Sequence, residues 1–528
     1  MPATNSRTSY DEVPYESHPF AQTHPDRLCT LATLLGLKPA TVARCRVLEL
    51  GCAAGGNLIP MACALPASNF IGIDLSEREI ADGKEVVGDL GLTNIELKHL
   101  SILDIGPDFG KFDYIICHGV YSWVPAAVQE KILDICSKNL APQGIAYVSY
   151  NTYPGWHMRG MIRDMMSYHA RQFTVPEMKV RQSRNLLDFL VKASRQQNSP
   201  YGLMLKQEAE SIRRSSDSYL FHEHLEDVNE PVYFYQFVER AAAHGLKYLA
   251  ETELSTMVPG NYPPEIENVL QMLAQDMIHM EQYMDFLRNR MFRQSLLCQK
   301  HVTPNYSLKA QQLKGFHVAS PAKPQDDKPD LASAEPVLFE TPAGVTLNSR
   351  EPLVKAAMTC LAEAWPQALP FTQLVEKARA RVQAIKCEDH SADADTQALG
   401  QTLLSFYGTA STNLIELYLN PPAFVTAVSD RPRAFALARL QAARGPRVTN
   451  LRHESVFLGE FERQLLRLLD GTHDRAALAD ALGRLAATGE LTVEKDGSSV
   501  PESQLAETIA AAIDRQLPLL AGNALLIA

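Results

Sequence analysis

The stretch Arg46-Val47-Leu48-Glu49-Leu50-Gly51-Cys52-Ala53-Ala54-Gly55-Gly56-Asn57 decides the fold. The run 47–50 reads as a buried parallel strand. A turn of small residues, 51–56, follows it. Leu58, Ile59, Met61, Ala62 and Leu65 then fall at helical spacing. Strand, small-residue turn and helix form the opening unit of a nucleotide-binding α/β fold. Glycine permits the tight turn and lets the backbone approach a ligand closely. A helix N-terminus there favours a carboxylate or a phosphate.

Downstream the same alternation continues. Residues 69–74 form a second strand ending in Asp74, where such folds hold a ribose diol. Ser76 is the better candidate to cap the next helix. A third strand, 95–100, leads to Ser101 and Ile102. A fourth, 112–118, is buried on both faces and runs into His118-Gly119-Val120-Tyr121-Ser122-Trp123. A fifth, 145–150, runs into Asn151-Thr152-Tyr153-Pro154-Gly155-Trp156. Ligands of doubly wound folds bind at the carboxyl ends of the strands. Tyr121, Trp123, Tyr153 and Trp156 therefore converge there as aromatic walls, which suit an alkylammonium group. Upstream, 1–27 is rich in Tyr, His and Pro and reads as an ordered arm folded over a ligand, with Tyr15 and His24 closing on it.

Residues 158–216 read as a helical insertion. His222-Glu223-His224 lacks a third ligand at clear spacing, so no metal is expected. Helix and strand then alternate twice, ending with one long helix over 268–290 and a last strand over 292–299. This completes a seven-stranded sheet with an antiparallel edge and bounds the core at 28–305. Residues 306–349 read as a linker, with the proline-rich stretch 320–336 within them a linker or surface loop. A helical middle domain is expected over 350–445 and a winged-helix-like α+β domain over 446–528. Residues 474–480 lack the basic face of a DNA reader.

The chain has 528 residues, enough for several domains. It is 46% hydrophobic and 21% charged, as in soluble globular proteins. A net charge of -11 argues against a nucleic-acid partner. Nine cysteines without a CxxC pair point to free thiols and a cytoplasmic setting. Residues 1–11 are polar, and no apolar run approaches the roughly 20 residues of a membrane span.

Glu49-x-Gly51-x-Ala53-x-Gly55 resembles motif I of class I S-adenosylmethionine methyltransferases, with Ala53 in place of the usual middle glycine. That resemblance implies a glycine turn facing the methionine part of the cofactor. Residues 10–24, 48–57, 118–125, 151–156, 219–226, 234–251, 282–297 and 451–472 together resemble bacterial protein-lysine methyltransferases of the outer-membrane-protein type. The 219–251 block is similar to a methyltransferase regulatory domain. The family implies a Rossmann-like class I core, S-adenosylmethionine as cofactor and a protein-lysine acceptor. It implies Glu49, Gly51, Cys52, Ala53, Asn57, Asp74, Leu75, Ser101, Ile102, His118 and Gly119 around the cofactor, with Tyr15 and His24 from the arm. Tyr121, Trp123, Asn151 and Tyr153 are expected around the acceptor amine. Three readings stay open: a protein-lysine methyltransferase, a methyltransferase of a small molecule or lipid, and a non-catalytic cofactor-binding module. A homodimer is the quaternary alternative to a monomer.

Overall fold

The computed structural model describes Val13 and residues 17–194, 198–386, 391–409, 414–495 and 498–528. Tyr15 lies outside the described residues. The central sheet holds seven strands: β1 Arg46–Leu50, β2 Asn69–Asp74, β3 Ile95–His99, β4 Phe112–Cys117, β5 Leu140–Asn151, β6 Leu246–Glu251 and β7 Phe292–Gln299. Their spatial order is β3-β2-β1-β4-β5-β7-β6. Pairing is parallel from β3 through β5, and β7 runs antiparallel to both neighbours. The antiparallel strand is thus one place inside the edge, which is formed by β6.

Alternate residues of each strand enter two cores. Val47, Tyr114, Ile116, Ile145 and Tyr147 face one side, where helices α1 Pro25–Leu34, α2 Leu58–Ala64 and α3 Glu77–Asp89 pack. Leu48, Leu50, Ile115, Cys117 and Val148 face the other, against α4 Ala126–Lys138 and α9 Phe234–Ala243. Helices on both faces explain why these strands read as continuous apolar runs.

The insertion starts three residues before the expected boundary. It comprises α5 Gly155–Ala170, α6 Pro176–Ala193, α7 Pro200–Arg214 and α8 Asp217–His224. Ile162, Met166, Val180, Leu187, Leu205 and Phe221 give it a core of its own. The expected helix over 268–290 is two helices, α10 Pro264–Leu273 and α11 Met277–Arg288. Asp276 breaks the run: its side chain accepts the His279 N–H and caps the second helix.

Residues 306–349 are not a linker. They carry a 3-10 turn, Ala310–Gly315, and strands β8 His317–Ala319, β9 Lys323–Pro324, β10 Val337–Glu340 and β11 Thr346–Ser349. Leu313, Phe316, Val318 and Phe339 from this stretch are buried in the same core as the sheet's first face. Lys355 is buried too; its Nζ donates to the carbonyls of Asp330, Ser333 and Glu335, which pins the proline-rich loop. Helices α12 Pro352–Ala364, α13 Phe371–Lys386 and α14 Ala392–Tyr407 follow; the short strands β12 Leu369–Pro370, between α12 and α13, and β13 Glu416–Tyr418, after α14, flank β8. The last unit contains α15 Ala436–Arg444, α16 Glu460–Leu468, α17 Arg475–Ala487 and α18 Glu502–Gly522 with hairpins β14 Arg447–Thr449/β15 Ser455–Phe457 and β16 Glu494–Lys495/β17 Ser498–Ser499. Because α15 packs on α16 and β14, this unit begins before residue 446. Its buried residues, up to Leu526, join the core that starts at Leu28.

Candidate cofactor and acceptor site

The turn after β1 is held almost entirely from within the protein. Gly51 and Cys52 N–H groups donate to the Ile73 carbonyl at 2.9 and 3.0 Å. The Ala53 N–H donates to Asp74 Oδ2 at 2.8 Å, and Ser76 N–H to Asp74 Oδ1 at 2.9 Å. Asp74 therefore fixes the turn from the end of β2. That bond holds Ala53 at φ 47°, the left-handed region that a middle glycine would enter freely. The Gly56 N–H donates to Ser17 Oγ at 2.8 Å. A Cβ on Gly56 would lie 2.4 Å from the Ser17 carbonyl, so the arm can lie flat only because residue 56 is glycine. Amides that would cradle a pyrophosphate are thus spent internally, which favours a cofactor without one.

Beneath the turn, Glu49 is 3% exposed. Its Oε1 accepts from Asn57 Nδ2 at 2.7 Å, whereas Oε2 is buried with no hydrogen-bond partner among the described residues. Burial pushes the Glu49 carboxyl up to about 8, Asn57 pulling the other way and Asp74 adding to the rise. An unsatisfied buried carboxylate oxygen at this turn fits the α-ammonium of an aminoacyl cofactor. Cys52 faces inward against Gly72 and fills sheet space. Leu75 is 57% exposed and Ile102 half-buried, placing an apolar edge beyond β2 and β3. Ser101 accepts the Leu103 N–H and caps a 3-10 turn.

The arm closes the site with residues that the sequence reading did not single out. The Phe20 N–H donates to Asn57 Oδ1 at 2.9 Å, and its ring lies 3.9 Å from the His118 ring. Thr23 and Asn57 are also bonded, Nδ2 to Oγ1, at 3.0 Å. Further up the arm, the Val13 carbonyl lies 2.6 Å from His222 Nε2, whose Nδ1 meets Glu226. His222 thus anchors the arm. His24 does not bring a charge to a carboxylate: its Nδ1 accepts the Asp26 N–H at the start of α1, and burial lowers it to about 4, so it is neutral. The His24-Pro25 pair was the available signal, since proline favours the first helical position. Phe20→Ala should raise the dissociation constant for S-adenosylhomocysteine about tenfold, since the half-buried ring contact with His118 is lost. Calorimetry checks this, and an unchanged constant would reduce the arm to surface packing.

At the ends of β4 and β5, His118 Nδ1 lies 2.8 Å from the Tyr147 hydroxyl, and Gly119 N–H donates to Ser149 Oγ. Burial, with His18 nearby, lowers His118 to about 3, leaving a neutral ring. The four residues expected around the acceptor divide. Tyr121 is fully buried and packs edge-on against Tyr150 and Phe237 at 6.1 and 5.3 Å. It belongs to the core on the α9 side, so it does not line an acceptor channel. The Asn151 Nδ2 donates to Asn229 Oδ1 at 2.9 Å, and its carbonyl accepts the Val232 N–H. It holds the 229–232 loop. Trp123 and Tyr153 are both half-buried. Trp123 meets Trp156 edge-on at 6.0 Å, while Tyr153 stacks on His157 at 4.0 Å and lies 5.3 Å from Tyr233. Beyond them Met158, Met161, Tyr235, Phe286, Met291 and Phe292 are exposed.

Three family models match successive parts of the chain: a methyltransferase domain over 42–216, a predicted methyltransferase regulatory domain over 216–299, and a PKMT C-terminal winged helix domain over 430–525. A solved structure, PKMT2 from Rickettsia typhi in complex with AdoHcy, superposes with TM-score 0.87 at 32% identity, covering 98% of this chain and 100% of that one. The chain belongs to the PKMT family. An uncharacterised protein of Rickettsia prowazekii (strain Madrid E) is 39% identical over 502 residues, 94% of this chain and 89% of its own length. A second from the same organism is 44% identical over 244 residues, 46% of this chain and 98% of its own. As a PKMT-family member, the chain is an S-adenosylmethionine-dependent methyltransferase with a Rossmann-like core and a winged helix domain. Among the described residues no helix is long and apolar enough to cross a membrane, and no three His, Cys, Asp or Glu side chains are grouped to hold a metal ion.

Proposed function

We propose that this chain transfers a methyl group to lysine side chains of a protein substrate. The supporting observation is the open rim of the site. Half-buried Trp123, backed by the buried Trp156, and half-buried Tyr153 and Tyr233 stand at this end of the sheet, with exposed apolar side chains on α5, α11 and the start of β7. A small metabolite needs an enclosed pocket. An extended apolar rim suits a polypeptide.

S-adenosylmethionine supplies an activated methyl on its sulfonium. The residues of this chain must then align the acceptor and present it unprotonated. A lysine ammonium has an ordinary pKa of about 10.4, and desolvation between aromatic faces lowers it. Trp123 and Tyr153 supply that surface. Glu49, Asn57 and Asp74 would hold the cofactor, with Leu75 and Ile102 beside its base. Phe20, laid over His118, excludes water from the floor.

Labelled S-adenosylmethionine incubated with enzyme and fractionated lysate should place label in the protein fraction. Label confined to lipid or small molecules would instead favour the metabolite reading. Trp123→Ala and Tyr153→Ala should each lower turnover by roughly tenfold or more, the range of a positioning group, with cofactor affinity within about threefold. Tyr121→Phe should leave turnover near that of the wild type. Wild-type turnover in both wall variants would place the acceptor elsewhere.

A further inference from the structure

Asn57 lies at the centre of the cofactor turn, and its last bonding partner comes from the far end of the chain. His453 Nε2 lies 2.8 Å from Asn57 Oδ1, across 396 residues of sequence. The orientation of the amide is fixed by its other partners. Nδ2 must face Glu49 Oε1, an acceptor, at 2.7 Å, and Oδ1 must face the Phe20 N–H, a donor, at 2.9 Å. His453 therefore donates, and its proton sits on Nε2. Both residues are buried, Asn57 at 3% and His453 at 5% exposure.

The loop carrying His453 is built to present it. Asn450 Oδ1 accepts the N–H groups of Arg452 and Glu454 at 2.9 Å each. His453 sits at φ 62°, a conformation a non-glycine residue adopts only when its surroundings impose it. Arg452 clamps the loop from below, paired with Glu416 and stacked 4.5 Å from the Trp365 ring. The same half of the chain braces α1: Asn420 N–H donates to Asp26 Oδ1 at 2.8 Å, and Leu419 N–H to Thr30 Oγ1 at 3.2 Å. The His24 ring, which begins that helix, lies 5.3 Å from the His453 ring.

We propose that His453 is a positioning residue for methyl transfer: its Nε2–H orients Asn57, Asn57 orients Glu49 and the arm at Phe20, and the seating of the winged helix domain thereby sets cofactor affinity. The coupling is independent of which nucleophile accepts the methyl. It also gives that domain a role at the active site without any contact to the acceptor.

The test compares His453→Ala with His453→Gln in the full-length protein. Glutamine retains an N–H donor of similar reach; alanine does not. Loss of one buried hydrogen bond is expected to weaken S-adenosylhomocysteine binding about tenfold in H453A. H453Q should bind within about threefold of wild type. In steady state H453A should raise the KM for S-adenosylmethionine by the same factor, with kcat at saturating cofactor nearly unchanged. A merely packing role would lower the thermal midpoint of both variants and leave affinity alone. Should H453A fail to fold, Asn450→Ala frees the loop while leaving the imidazole in place, and it too should weaken binding several-fold. Affinity unchanged in the variant that folds, or H453Q as weak as H453A, would overturn the proposal.

Discussion

Glu49→Gln is expected to weaken S-adenosylhomocysteine binding by roughly 30–100-fold at pH 8, while leaving the ligand-free protein at least as stable. Gln keeps the shape and the bond to Asn57 but removes the charge that would meet the cofactor's ammonium. Losing one partner of a buried charged pair costs about 2–5 kcal/mol. The ligand-free protein behaves oppositely, because the Glu49 carboxyl is raised to about 8 from an ordinary 4.5. Between these values the unfolded chain has released a proton that the folded chain retains, so stability contributed by this group is lost as pH rises. Gln removes that slope. Cofactor affinity has the contrary sign: only the carboxylate pairs with the ammonium, so wild-type affinity should increase about tenfold per pH unit up to about pH 8 and then level off. Wild type and E49Q should converge near pH 6. Calorimetry across that range reads both effects, and a pH-independent wild-type affinity would remove Glu49 from the cofactor site.

Arg293→Met should destabilise the sheet's far edge by about 3–5 kcal/mol, the cost of stripping the partner from buried charges. The Arg293 guanidinium is buried. Nε and Nη2 donate to Asp285 at 2.7 and 2.9 Å, and Nη1 donates to Glu251 at 3.1 Å and to Glu281 at 3.0 Å. Its plane lies 3.5 Å from the Phe234 ring. Burial raises Glu281 to about 7, whereas for Glu251 Arg290 and Arg293 overcome burial and hold it below its ordinary range. Burial also raises Asp285, against the pull of Arg293 and Arg290, so below neutrality Glu281 is protonated while Glu251 keeps its charge opposite the two guanidiniums. Glu281→Gln should accordingly cost less than about 1 kcal/mol near pH 6. Thermal unfolding with hydrogen exchange of β6, β7 and α11 separates the two variants, and equal losses would contradict this charge assignment.

The sheet was legible because its signals are local. Strand, glycine turn and the acid of Asp74 lie within thirty residues, and buried parallel strands announce themselves as apolar runs. The winged helix elements were legible from amphipathic spacing. What escaped was set by tertiary placement. Tyr121 and Trp123 sit two residues apart in one 3-10 turn, yet one enters the core beside Phe237 and the other reaches the rim; periodicity cannot separate them in so short a turn. Proline-rich composition concealed Phe316, Val318 and Phe339, whose burial depends on helices α12–α14 that come later. His453 carried no local signal, because its partner is in the first sixty residues. The aromatic-rich arm was expected to close the site, and among its described residues the contacts to the turn come from Ser17, Phe20 and Thr23, because hydrogen bonding to Gly56 and Asn57 uses small polar groups and backbone.

The most direct measurement is amino-acid analysis of protein labelled by this enzyme. Purified chain, methyl-labelled S-adenosylmethionine and fractionated lysate are combined, and the protein fraction is hydrolysed and resolved by chromatography. Label is expected in Nε-methylated lysines, lost in Glu49→Gln and reduced about tenfold or more in Trp123→Ala. Label in any other amino acid, or none in protein while lipid or metabolite fractions become labelled, would contradict it.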